Sequence, residues 1–317
     1  MELINSSAQL LEYDNDPLKF IELVARNCYK SEDKINDVSA YTFVKKLYNN
    51  GHYAMLEFYP FYFKMQKELA NDYIKYNSFP HINGDFMIYH SIKHPFVDVS
   101  CNLRTAILLS KEDSHISTEI VAEYPQLYFL FPKDRKYDKL CTLVKRENVH
   151  LSLRYYTARF ICDRGVSHEL VRHRKCSFAQ ESTRYCNYSK QDHIKFIIPS
   201  FLDLFETTYN NVADYLDKNN MSADSDNTIA GRFAFSLLQA EKTYFHLISA
   251  GCSPQQARAI LPNALKTEII VQAKLSEWKH IFKLRTVTGA HPDMIKVARQ
   301  LRSHFTLLND NINIYLG

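Results

Sequence analysis

LSLRYYTARFICDRGVSHELVRHRK, residues 151–175, passes from a run of aromatic and branched side chains into a polar, charged segment across Asp163-Arg164-Gly165. Residues 151–162 read as a strand, because such side chains suit a pleated, half-buried surface. Past the break, Ser167 is placed to cap a helix HELVRHRK, with Glu169 in the first turn where the helix dipole favours an anion. The chain downstream keeps mixing the two element types. IKFIIPSF, 194–201, is a short strand, and TIAGRFAFSLLQAEKTYFHLISAG, 228–251, is a long helix with Gly251 just past its end. Ser253-Pro254-Gln255-Gln256 has the form of a capping box and opens a short helix that runs up to Pro262. IIV at 269–271 fits a helix or a strand. SEWKHIFKLR is helical from a capping Ser276, and Pro292 starts a last helix, PDMIKVARQLRSHF.

Upstream, Asn15-Asp16-Pro17 predicts a helix with a capping Asp and Pro at its first position, and Leu18, Ile21, Leu23 and Val24 recur at helical spacing. A second helix spans 39–50, with Gly51 where a left-handed residue belongs. EFYPFYFKM has strand composition, and Pro60 within it points to an edge or an irregularity. From 69 to 148 the signals are mixed, with short apolar runs (FMIYH, LYFLF) between Asn-Gly, Asp and Pro breakers. We read this part as an elaboration. No internal repeat, low-complexity tract or long linker interrupts the chain. The expected architecture is therefore α+β, a mixed or antiparallel sheet flanked by long helices, with one domain over 1–317 and an insert at about 67–150.

Composition sets the bounds. With 317 residues and 46% hydrophobic content the chain can bury a proper core. A net charge of +4 is too mild for a whole-surface nucleic-acid footprint, so no nucleic-acid partner is expected, while anionic small molecules stay open. Seven cysteines, odd in number and without a regular framework, point to reduced thiols and a cytoplasmic setting. No apolar run approaches the roughly 18 residues of a membrane span, and no signal-peptide layout opens the chain.

RHRKCSFAQESTRYCNYSK, 172–190, concentrates three arginines, a histidine, two lysines, a carboxylate, two amides and several hydroxyls. A zinc site fails on spacing: His168 and His173 are five apart, whereas two ligands on one helix face sit four apart. Cys176 and Cys186 lie among cations that favour a thiolate, yet no base is evident beside either. A solvated basic surface or an RNA-binding loop are further readings, but the segment follows a strand directly and uses Arg where bidentate recognition wants it. Recognition of small phosphorylated ligands fits better. On a helix Arg172 and Arg174 would face different partners, which suits two anions. Gln180, Ser182 and Arg184 alternate, and in an extended stretch all three would address one ligand.

Arg172-His173-Arg174 followed after seven residues by Ser182, and the continuation Thr183-Arg184-Tyr185, resemble the RHR-x7-S signature of the flavin-dependent thymidylate synthases. Gly51-His52 through Glu57 is similar to that family's GHxxxxEH segment. Ala257-Arg258-Ala-Ile-Leu-Pro262, then Thr267, Trp278, His280 and Leu284-Arg285, resemble its downstream region. The resemblance spans roughly 40–300 and covers 67–150 poorly.

The resemblance implies reductive methylation of dUMP to dTMP, with methylenetetrahydrofolate as carbon donor, NADPH as reductant and FAD as hydride carrier, in a homotetramer whose active sites are shared between subunits. It implies that Arg172, His173, Arg174 and Gln180 hold FAD, with His52, Glu57 and His280 nearby. It places Glu169, Arg172, Gln180, Ser182, Thr183, Arg184 and Arg258 at the dUMP site, and Arg285 as the catalytic residue beside the uracil, where a fixed cation favours loss of the N3 proton. No metal is implied. Three positions depart from the pattern: Phe58 replaces a histidine, Ala179 an asparagine, and Lys274-Leu-Ser276 stands where many members have Asn-x-Arg near the flavin. A different pyrimidine nucleotide acceptor, a hydroxymethylating reaction and a polynucleotide-binding module are the alternatives.

Overall fold

A computed structural model describes residues 1–13, 15–77, 86–89, 95–134, 136, 138–219 and 228–317. Strands β1 (Glu2–Ile4) and β2 (Ser7–Leu11) precede helices α1 (Pro17–Asn27) and α2 (Ser39–Asn49). The insert region follows as β3 (Pro60–Gln66), α3 (Lys67–Asn77), β4 (Phe86–Tyr89), β5 (Phe96–Asn102), α4 (Leu103–Leu109), α5 (His115–Glu123) and β6 (Cys141–Val144). Then come β7 (Tyr155–Asp163), α6 (Arg164–Leu170), β8 (Ser177–Gln180), β9 (Lys195–Ile197) and β10 (Thr207–Thr208). The chain closes with α7 (Val212–Lys218), α8 (Ile229–Ser249), α9 (Pro254–Ala257), β11 (Lys266–Lys274), α10 (Leu275–Arg285), α11 (Pro292–Thr306) and α12 (Asp310–Leu316).

The central sheet is antiparallel in the order β2-β7-β11-β8, and β7 and β11 pair along nine residues, Lys266 opposite Asp163 through Lys274 opposite Tyr155. Helices cover one face: Trp278, Phe282 and Phe305 pack against Phe160, Ala158 and Val271, and the Trp278 indole donates to Tyr156 O at 3.0 Å. On the other face Asn27, at the end of α1, donates to Ala179 O at 3.0 Å and Glu268 O at 3.2 Å, so α1 is tied to two strands at once. A second antiparallel sheet, β4-β5-β3-β6, is made wholly by the region after Tyr59, and its core runs on through Leu18, Ile21 and Val44 to Ala179 and Ile270 of the central sheet. A third sheet, β10-β1-β9, pairs β1 parallel with β9 and antiparallel with β10 beside α8.

The α+β reading with helices flanking antiparallel strands is what forms. Local signals hold: Asp16 accepts from Leu18 N at 2.9 Å, Ser253 and Gln256 make a reciprocal capping box, and Gly51 and Gly251 sit at φ +74° and +94°, where glycine carries no Cβ penalty.

Several expectations are corrected. The helix after β7 is capped by Asp163, whose Oδ1 accepts from Val166 N at 2.8 Å, while Ser167 is buried inside it and donates to Arg164 O. That helix ends at Leu170, so Arg172–Arg174 lie in a turn and the helical separation of the two arginines does not apply. Residues 151–153 form a 3-10 turn before the strand begins at Tyr155. Residues 183–185 are a turn, so Ser182 and Arg184 do not continue the alternation of β8. Lys274, not Ser276, stands at the cap position of α10. Residues 269–271 are strand, within β11, which is buried on both faces and so shows no alternation. Pro60 is the first residue of an interior strand, beyond the stretch that β6 pairs, so its missing N–H costs no ladder bond there. Helix α12 follows the helix expected to be last. The Asn83-Gly84 breaker lies outside the described residues.

Candidate active site

The turn 171–176 between α6 and β8 carries the richest group of cations in the chain to one wall of a cleft of about 1080 Å³. Arg172, Arg174 and Lys175 come from that turn. Ser177 and Lys274 come from β8 and β11, Ser276, Glu277, His280 and Arg285 from α10, and Glu57 from the 3-10 segment before β3. Among the described residues no carboxylate pairs with Arg172, Arg174 or Lys175. All three are exposed cations on one wall of the cavity, and an anionic occupant is attracted to them.

Arg285 organises the inner part. From the last turn of α10 its Nε donates to His173 Nε2 at 3.0 Å, its Nη1 to Glu169 Oε2 at 2.6 Å and its Nη2 to Glu169 O at 3.2 Å. Because His173 Nε2 accepts, the neutral imidazole carries its proton on Nδ1, which lies 4.0 Å from Glu277 Oε1. Burial, with Arg285 and His280 adding like charge, pushes His173 down to about 4. His173 is therefore a neutral, oriented ring at physiological pH.

The depressed value has a measurable consequence. A free imidazole titrates near 6.5, so as pH falls the unfolded chain takes up its proton before the folded one, and stability declines between about pH 6.5 and 4. Below that window the contribution is fully lost and the decline levels off. Denaturant unfolding across the window should show a shallower decline for His173→Gln than for the unaltered protein, and equal slopes would contradict this.

His173, Glu277 and His280 bring potential ligand atoms within 4.8 Å of one another. Arg285 already occupies one ring nitrogen of His173, and three unpaired cations line the same cavity, so the neighbourhood disfavours a metal cation.

The second group of expected residues gathers at the other end of β8. Gln180 donates from Nε2 to Ser167 Oγ at 3.0 Å and Thr267 Oγ1 at 3.1 Å. Ser182 N donates to Cys28 O at 3.0 Å, Arg258 Nη1 to the buried Thr183 Oγ1 at 3.1 Å, and the exposed Arg184 to Gln255 Oε1 at 3.0 Å. A four-residue strand spans on the order of 10 Å, so within one chain the Gln180–Arg184 group is separated from the cationic cleft, with Glu169 and Arg285 on the inner side. His52 is exposed at the start of the 3-10 segment and does not line the cleft, whereas Glu57 does.

Sequence reasoning missed the groups that hold the 180–184 peptide. Glu268, buried in β11, pairs with Lys30 at 3.0 Å and with Arg159; burial alone would raise its pKa, and those cations with Lys266 outweigh burial and hold it low. Glu181 takes Lys266 at 2.8 Å and the Tyr188 hydroxyl at 3.0 Å. Both acids sit in strand or signature positions whose partners lie far off in sequence. Lys175, Ser177 and Glu277 were also missed, although they adjoin expected residues.

The cleft gathers exposed cations on one wall, a lining suited to an anionic ligand. The family model described as thymidylate synthase complementing protein matches residues 142–308, more than half of the chain, and the chain belongs to that family. Among curated relatives, the flavin-dependent thymidylate synthase of Pyrococcus furiosus is 29% identical over 150 residues, covering 47% of this chain and 53% of that protein. That of Thermococcus onnurineus is 32% identical over 138 residues, covering 43% and 48%. The chain spans about half the length of the curated relatives it matches. Among solved structures, thymidylate synthase X of Helicobacter pylori with FAD and dUMP aligns with a TM-score of 0.37 at 23% identity, covering 52% of this chain and 72% of that one. A UMP/dUMP methylase of Streptomyces cacaoi bound with 5-Br dUMP aligns at 0.43 and 15% identity, covering 100% and 96%. No helix among the described residues is long and apolar enough to cross a membrane.

Proposed function

We propose that this chain methylates dUMP to dTMP, taking the one-carbon unit from methylenetetrahydrofolate and the hydride from FAD reduced by NADPH. The observation that carries the proposal is the cleft: three unpaired cations on the 172–175 turn beside a neutral, buried His173 held by Arg285. Membership of the thymidylate synthase complementing protein family narrows the anion to the nucleotides of that chemistry.

The residues present fit a flavin nucleotide. Arg172 and Arg174 offer guanidinium forks to its diphosphate. Reduced flavin supplies the hydride that completes the methyl group. Arg285 lies beside the pyrimidine and stabilises the anion left when N3 loses its proton, while Glu169 and His173 hold the guanidinium in place. Gln180, Ser182, Thr183, Arg184 and Arg258 bind dUMP, with the two arginines on its phosphate. Arg184 and Arg258 are exposed and stand apart from the cleft, which supports a site completed between subunits of a homotetramer. A cytoplasmic, reducing setting would keep the seven free cysteines reduced.

Arg184→Ala tests the substrate assignment, because its partner Gln255 is exposed and the fold does not depend on the pair. Calorimetric titration should show dUMP affinity reduced about tenfold or more, as expected for loss of a charge-assisted contact, with an unchanged circular dichroism spectrum. Unchanged affinity would remove Arg184 from the dUMP site.

A further inference from the structure

One wall of the cleft comes from the part of the chain that the family match leaves out. Met87 of β4, and Asn102 and Arg104 at the junction of β5 and α4, line the cavity, and the match begins only at residue 142. Local chemistry fixes Arg104 in position. Asn102 caps α4 by accepting from Thr105 N at 2.9 Å, and the fully buried Leu103 donates its N–H to Tyr59 O at 2.8 Å. The Arg104 guanidinium donates from Nη1 to Glu57 Oε1 at 2.5 Å, and the other Glu57 oxygen accepts from Ser177 Oγ at 2.8 Å. Among the described residues Glu57 is the one carboxylate on Arg104, and a single contact leaves most of the five-donor fork available.

We propose that Arg104 is a phosphate-binding residue of this cleft, which grips the diphosphate of the cofactor from the insert side while Arg172 and Arg174 hold it from the turn. The inference rests on the reading that a flavin nucleotide occupies the cleft. Three observations favour a phosphate as the partner. Arg104 adds a further guanidinium to a cavity already in cationic excess, which a neutral ligand would leave uncompensated. The Glu57–Arg104 pair is partly solvated, with side-chain exposures of 24% and 33%, so it is weak enough for a diphosphate, doubly charged as a whole, to displace. Glu57 also keeps Ser177 when Arg104 turns away, so its carboxylate is not left without a donor.

Ser276 and Lys274 line the same cavity as Arg104. The insert thus contributes a guanidinium to this cavity through Arg104.

Fluorescence titration of the flavin-free protein with FAD and with riboflavin, which shares the isoalloxazine and lacks phosphate, tests this. Arg104→Ala should weaken FAD about tenfold or more and leave riboflavin unchanged, and Arg104→Lys should recover part of the loss. Equal weakening of both ligands would mean that Arg104 acts through the fold, and unaltered FAD affinity would mean that it does not touch the phosphates; either overturns the proposal. Should the unaltered protein bind no flavin at all, the proposed function fails, and titration with inorganic pyrophosphate still decides Arg104: weaker binding by Arg104→Ala supports the phosphate role, and equal binding overturns it.

Discussion

Replacing Arg285 by alanine is expected to lower kcat for dTMP formation by about 10²–10³-fold, the usual effect of deleting one preorganised electrostatic donor. The side chain makes three contacts at once, to His173 Nε2, Glu169 Oε2 and Glu169 O, so its removal frees both partners. Two readouts separate its role in the reaction from a structural one. Loss of the neighbouring charge, the second cause of the low His173 value after burial, should raise that value from about 4 toward 6.5, visible in the imidazole resonances. Arg285→Lys keeps a cation but cannot bridge His173 and Glu169 together, so it should restore little of kcat while keeping His173 depressed. An Arg285→Ala enzyme within a few-fold of full activity would remove Arg285 from the chemistry.

The double substitution Arg172→Ala, Arg174→Ala is expected to reduce FAD affinity by about 100-fold or more, from two charge-assisted contacts of roughly 1.5–3 kcal/mol each. Neither side chain holds a partner in the described structure, so folding should be unaffected. The ionic-strength dependence of binding should flatten in the variant, because the contacts removed are screened ones. Flavin titration at low and high salt reads both effects. Retained affinity with the original salt dependence would place the diphosphate elsewhere.

How much of this was legible beforehand depended on whether a feature is local. Asp16 before Pro17, the Ser253–Gln256 box and the glycines after α2 and α8 act within a few residues of themselves, and each formed as read. Ser167, read as the cap, is fully buried inside the helix that Asp163 caps, and that helix ends at Leu170, which leaves Arg172–Arg174 in a turn. Strand β11 could not show alternation because α1 covers one face and α10 the other. The cations of 172–175 were legible because they are contiguous. Arg104 and Glu268 were not, because their roles come from partners 47 and 238 positions away, Glu57 and Lys30, that only the fold brings near.

The central claim is substitution at uracil C5, and release of tritium from dUMP labelled at that carbon tests it most directly. With FAD, NADPH and methylenetetrahydrofolate present, the account predicts release that ceases when any one of the three is omitted. Absence of release from protein that demonstrably binds FAD would contradict it and leave the cleft serving a different acceptor.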